Sequence, residues 1–131
     1  MADKKKNILV VEDEKMTARL IVYRLKSLGH DVLHIEDGVD ALKWIKENSP
    51  DVIVLDVMLP GMSGFEILEN LRDDDEFDLS NTRVLMLSTK SRAEDISRGF
   101  GLGAVEYLPK PFKMDEFLLR LQRIMAENES T

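Results

Sequence analysis

In this 131-residue chain, groups able to do chemistry stand directly behind short apolar runs. Glu12-Asp13 follow NILVV and lead into Glu14; Asp56 ends DVIVLD; Ser88-Thr89 follow RVLML; Lys110-Pro111 come just after VEYL. Taken singly, each has an ordinary reading. An acid after a strand serves as a turn residue or a helix N-cap, and Ser88 as a cap for the next helix. Lys110 alone would be a surface lysine. Asp56 is harder to dismiss: it follows four apolar residues, no helix starts at once, and Val57-Met58-Leu59 keep its flank apolar. Taken together, the groups describe one site. Clustered carboxylates repel, so such a site must hold a cation or raise a pKa. With hard oxygen ligands and no His or Cys nearby, Mg²⁺ is the natural cation. A carboxylate beside Mg²⁺ can attack phosphorus, while the metal and a lysine neutralise charge on the phosphoryl oxygens and a hydroxyl hydrogen-bonds one of them. The chemistry is phosphoryl transfer onto Asp56.

The elements that must position these groups follow from hydrophobic periodicity. Strands are predicted over Asn7–Val11, Asp31–Ile35, Asp51–Asp56, Arg83–Leu87 and Val105–Leu108. Helices are predicted over Lys15–Leu28, Gly38–Asn48, Ser63–Arg72, Ala93–Phe100 and Met114–Ala126, the first ended by Gly29 and the second by Ser49-Pro50. This is a five-fold βα alternation without repeats or linker. The first, third and fourth strands are apolar on consecutive positions, as strands buried on both faces are. An α/β, doubly wound parallel sheet covered by helices follows. Such sheets bind ligands outside the carboxyl ends of their strands, where the acids, the hydroxyl and the lysine all stand.

Composition narrows the class further. The chain has the length of one domain, carries no cysteine, and combines 44% hydrophobic with 33% charged residues. Disulfides and Cys-ligated metals are excluded. No apolar run approaches the ~20 residues of a membrane span, and the basic start lacks a signal-peptide pattern, so a soluble cytoplasmic protein without membrane contact is expected. The net charge of −7 opposes nonspecific nucleic-acid binding. Lys4-Lys5-Lys6 reads as a solvated tail.

These residues resemble the receiver domains of two-component response regulators, here the single-domain chemotaxis type. The resemblance covers Asn7 to about Met125. It rests on Glu12-Asp13; Asp56 followed by Met58, Pro60 and Gly64; Ser88; the stretch Gly99 to Tyr107 (GFGLGAVEY); and Lys110-Pro111-Phe112. It implies a single receiver domain over residues 1–131 with a core of about 7–126. The implied fold is (βα)5, flavodoxin-like, five-stranded and parallel, with strand order 2-1-3-4-5. It further implies that Asp56 is the phosphoacceptor and that Asp13, Asp56 and the Met58 backbone carbonyl ligate Mg²⁺, with Glu12 acting through water. Ser88, Lys110 and Thr89 would adjoin the phosphoryl oxygens, the Lys110-Pro111 bond would be cis, and Tyr107 would be the switch aromatic that turns inward with Ser88. The implied partners are a histidine kinase or histidine phosphotransfer protein and a downstream effector protein or domain, with room for a phosphorylation-dependent homodimer. On this reading the chain is a switch that promotes only its own phosphorylation and dephosphorylation.

Two places depart from the family's pattern. Thr89 stands where a small residue such as Ala is most frequent, and its bulk would narrow access to the acyl phosphate. Arg72 to Thr82 is long and acidic, either a solvated loop or a contact surface. On the first helix, Ala18, Ile21 or Val22, Leu25 and Leu28 fall at core spacing. Met16, Leu20 and Tyr23 lie on a neighbouring face, which is either part of a wide buried face or a docking patch for a helical phosphodonor. The sequence ends after the fifth helix and the polar run Glu127 to Thr131, as a stand-alone regulator or an excised module would. His30 and His34 are expected to be structural or exposed, away from the acidic edge.

The alternative is a haloacid-dehalogenase-like phosphatase with Asp56 as nucleophile. That class places a general acid two residues after the nucleophile, where this chain has Met58. A nucleotide-binding module fits less well: there is no G-x-x-x-x-G-K-[ST] loop, and Gly99, Gly101 and Gly103 precede a strand.

Overall fold

Successive side chains of a strand point to opposite faces, so the runs NILVV, VIVLD and RVLMLS require apolar cover on both sides of their sheet. The computed structural model, which describes residues 5–129, provides it. In chain order the elements are β1 (Asn7–Val11), α1 (Lys15–Ser27), β2 (Asp31–Ile35), α2 (Gly38–Asn48), β3 (Val52–Asp56) and α3 (Gly64–Asp73). A 3-10 turn (Leu79–Asn81) precedes β4 (Arg83–Ser88), α4 (Ala93–Gly101), β5 (Glu106–Pro109) and α5 (Met114–Glu129). The five strands are parallel in the order β2-β1-β3-β4-β5, as expected. Leu9, Val11, Ile53, Leu55, Val84 and Met86 face one core, closed by Ala41 and Ile45 of α2, Leu68 and Leu71 of α3 and Ile96 of α4. Ile8, Val10, Val52, Val54, Leu85 and Leu87 face the other, closed by Ile21 and Leu25 of α1 and Phe117, Leu121 and Ile124 of α5.

Helix starts are set by short polar side chains. Glu14 accepts from the Thr17 N–H at 2.8 Å, Asp37 caps α2, and Ser63 with Glu66 forms a capping box on α3. Several boundaries differ from the sequence reading. Ser88 belongs to β4, and Asp51 lies outside β3, where its carboxylate accepts from the Asn7 N–H at 2.8 Å. The fifth helix continues through Glu129, since neither Gly nor Pro follows Ala126 to stop it. Residues 1–4, 130 and 131 lie outside the described residues, so the basic cluster is described only from Lys5, which pairs with Asp31 at 3.3 Å. Leu28, expected in the core, is 46% exposed because α1 ends at Ser27 and the chain turns away at Gly29. The acidic connection before β4 is more than solvated loop: Phe77 and Leu79 pack on the core, and Lys46 pairs with Asp74 at 3.1 Å. Among the described residues no helix is long and apolar enough to cross a membrane.

Phe117 is fully buried, while Leu119 on the same helix is 56% exposed. Phe117→Ala is therefore expected to cost about 3–5 kcal/mol in urea unfolding. Leu119→Ala should stay within about 0.5 kcal/mol of the parent. Similar losses at both positions would contradict the placement of α5.

Candidate functional site

Strand register assembles the site as a staircase. Val11 pairs with Leu55, which brings Glu12 level with Asp56. Asp56 pairs with Leu87, so Ser88 stands one step beyond it; Ser88 pairs with Pro109, and Lys110 is one step beyond that. The chain leaves β1 toward β2 on one side and reaches β3 on the other, so Glu12 and Asp56 flank the point where strand order reverses.

Glu12, Asp56 and Ser88 are 1%, 5% and 0% exposed, while Asp13 is exposed at the rim. Lys110 Nζ lies 2.5 Å from Glu12 Oε1 and 2.9 Å from Asp56 Oδ2. The other oxygen of Asp56, Oδ1, accepts from the Met58 N–H at 3.1 Å. Of the acids whose roles the sequence left open, Glu14 is the helix cap and Asp13 is free of that duty. Burial pushes the Glu12 carboxyl up to about 7, with Lys110 pulling it down and Asp56 pushing it up again. Burial also pulls Lys110 down, but its pairing with Glu12 and Asp56 outweighs this and holds it above its ordinary value.

Glu12, Asp13 and Asp56 each offer a carboxylate oxygen within 4.8 Å of the others. Two buried carboxylates and a third at the rim, against one ammonium, leave negative charge partly uncompensated, and every donor is a hard oxygen. These residues fit a Mg²⁺ ion.

Ser88 Oγ accepts from the Lys90 N–H at 3.0 Å, so its own O–H points its donor capacity elsewhere. Tyr107 is 3% exposed, with its ring turned inward and its O–H donating to the Lys90 carbonyl at 2.5 Å. Burial raises the Tyr107 hydroxyl pKa, which keeps it a donor. Thr89 is exposed and lines, with Leu20, Lys110 and Pro111, a groove of about 510 Å³ beside the site. The Lys110-Pro111 peptide is cis, as expected.

One histidine was misplaced by the sequence reading. His30 is buried and structural, its Nδ1 accepting from the Lys6 N–H at 3.1 Å. His34 is not away from the acidic edge: its Nε2 lies 2.6 Å from the Glu12 carbonyl oxygen. Only the pairing of β2 with β1, a non-local contact, could have revealed it.

The pH dependence of stability follows from Glu12. The folded chain holds its proton more tightly than the unfolded chain, so between the ordinary value of 4.5 and about 7 it carries the excess proton. Stability contributed by this group is complete below that window and is lost as pH rises through it, by at most about 3 kcal/mol. Urea unfolding in chelator should show the decline, and Glu12→Gln should flatten it. An unchanged slope in the variant would assign the decline to other groups.

Residues 8–122 match the family model described as Response regulator receiver domain. The alkaline phosphatase synthesis transcriptional regulatory protein PhoP of Bacillus subtilis is 40% identical over 124 residues, covering 95% of this chain and 50% of that protein. The DNA-binding response regulator MtrA of Mycolicibacterium smegmatis is 36% identical over 125 residues, 95% of this chain and 53% of that protein. Among solved structures, the Francisella response regulator 1452 receiver domain matches with a TM-score of 0.85 at 33% identity, covering 94% of this chain and 98% of that one. The chain spans about half the length of the curated relatives it matches. These matches lend no support to the phosphatase alternative. With the family model spanning most of the chain and the acidic pocket standing where the sheet order reverses, this chain belongs to the receiver domains of two-component response regulators.

Proposed function

We propose that Asp56 accepts a phosphoryl group from the phosphohistidine of a histidine kinase or histidine phosphotransfer protein. The observation that carries this reading is the environment of Asp56: 5% exposed, beside Glu12 and Asp13, with Lys110 Nζ 2.9 Å from one of its oxygens. In this reading a carboxylate oxygen of Asp56 forms the new bond to phosphorus and the donor imidazole leaves with the electrons of the broken P–N bond. Asp13, Asp56 and the Met58 carbonyl would hold Mg²⁺, with Glu12 reaching it through water. When bound, the ion supplies charge neutralisation for the phosphoryl oxygens. Lys110 adds its ammonium to the same task, and the Ser88 hydroxyl donates to one phosphoryl oxygen. Thr89, at the mouth of the groove, sets how freely water and small phosphodonors reach the acyl phosphate.

Phosphorylation of an ordinary side chain adds roughly −1.5 to −2 of charge, and a comparable load on Asp56 draws Ser88 and Lys110 inward. Ser88 is tied through Lys90 to Tyr107, so the load biases the face built from α4, β5 and α5. A downstream effector protein or domain, or a second phosphorylated copy, reads that face. The DNA-binding named for MtrA is no part of this domain's role, since a net charge of −7 opposes contact with nucleic-acid phosphates. The chain acts as a single receiver domain in the cytoplasm, where its kinase presents the phosphohistidine.

Met16, Leu20 and Tyr23 are 66%, 55% and 70% exposed, which supports the docking reading of that face of α1 over a wide buried face. Incubation with Mg²⁺ and acetyl phosphate, followed by mass, is expected to add one phosphoryl group that Asp56→Asn abolishes. Modification that survives the substitution, or none at all, would overturn the assignment. Leu20→Glu should slow transfer from the cognate kinase by tenfold or more (about 1.4 kcal/mol) and leave acetyl phosphate labelling intact. Equal loss of both would sink the docking role.

A further inference from the structure

The end of β2, the start of α2 and the link between them supply none of the groups assigned to the chemistry, yet they touch both loops that carry them. The β1–β2 ladder ends where the Glu12 N–H donates to the Ile35 carbonyl at 3.3 Å. One residue back on β2, half-buried His34 extends the pairing with its side chain, Nε2 lying 2.6 Å from the Glu12 carbonyl oxygen. A carbonyl only accepts, so the ring donates through Nε2–H. That carbonyl belongs to the peptide joining Glu12 to Asp13, and its orientation sets where both carboxylates leave the backbone.

The same link seats the loop after β3. The Gly38 N–H donates to the Pro60 carbonyl at 2.9 Å. The two backbones are so close that a Cβ at position 38 would fall 1.9 Å from the Met62 carbonyl oxygen. Next to it, the Asp37 carboxylate caps α2 and lies against Gly61, whose φ of +82° glycine alone adopts without strain. Met58, on this loop, is held to Asp56 by its own N–H at 3.1 Å.

We infer that the end of β2 and the start of α2 frame the metal site, with His34 and Gly38 as positioning residues for its two ligand-bearing loops. His34 orients the Glu12-Asp13 peptide; Gly38 fixes how closely the Met58 loop approaches. This inference rests on the Mg²⁺ reading proposed above. Its functional content lies in cation affinity and not in fold stability, because His34 adds one side-chain bond to a ladder whose backbone pairing already joins β1 to β2.

The test titrates Mg²⁺ alone into the unphosphorylated full chain and follows the backbone amide shifts of Asp13 and Met58, with urea unfolding in chelator run in parallel. His34→Ala is expected to weaken Mg²⁺ binding about tenfold, the low end for removing a hydrogen bond that orients a metal ligand. His34→Gln, whose amide N–H can donate to the same carbonyl, should recover most of the loss. Gly38→Ala should weaken binding as well; if that variant fails to fold, the His34 pair decides. Wild-type affinity in His34→Ala overturns the inference. So does a loss that His34→Gln leaves unrecovered, which would assign the effect to packing. Absence of any Mg²⁺-dependent shift in the parent chain would remove the metal reading itself, a result distinct from either.

Discussion

The ammonium of Lys110, held between Glu12 and Asp56 at 2.5 and 2.9 Å, is the interaction on which the rest of the site depends. Two carboxylates exposed by 1% and 5% are charges that a sheet interior does not hold unaided, since the effective cost of burying an ion is several kcal/mol. Lys110 meets that cost only in part. The Glu12 carboxyl is still pushed up to about 7, so its proton is easily retained where a full complement of positive charge would remove it. A site left short of positive charge is one that a hard cation can complete. The same lysine binds the loop after β5 to the ends of β1 and β3, across four of the five strands of the carboxyl edge.

A second chain of contacts runs from this site to the surface. Ser88 holds the N–H of Lys90, and Tyr107 holds its carbonyl, so one residue of the loop after β4 is gripped from both sides. Displacing Ser88 toward a phosphoryl group pulls on the peptide that Tyr107 also grips. The ring has no slack on its far side: a Cβ at Gly99 of α4 would come within 2.8 Å of it. In the proposed phosphorylated state, these contacts would carry movement at the buried hydroxyl to α4 and β5 without a large rearrangement of the sheet.

Much of this was legible in the residues. Asp56 announced itself because a charge at the end of a fully apolar strand has no local use. The cis Lys110-Pro111 bond was expected from the resemblance, and the structure shows it; Tyr107, expected to turn inward when Ser88 is drawn toward a phosphoryl group, is already buried in the unmodified chain. Other residues were ambiguous for definite reasons. Asp13 and Glu14 have the same chemistry one position apart, and only the start of α1 decides that Glu14 spends its carboxylate on Thr17. Leu28 sits at core spacing, but spacing cannot say where the helix stops. Phe77 and Leu79 lie in an acidic stretch that reads as loop, although both pack on the core. Nothing local marks His34, since its partner, the Glu12 carbonyl, is 22 residues away.

What the sequence determined by itself was the set of elements and the end of the sheet where chemistry would lie. Alternating apolar runs and amphipathic stretches allow little besides parallel strands covered on both faces, and parallel strands put all their carboxyl ends on one edge. What only the tertiary structure decided was which of those ends are neighbours at which register. That places Glu12 level with Asp56, brings Lys110 to both, sets His34 on the Glu12 carbonyl, and seats the Met58 loop on Gly38. The physical reason is that strand order and register are settled by packing between segments distant in the chain. Periodicity reports only on each segment's own faces.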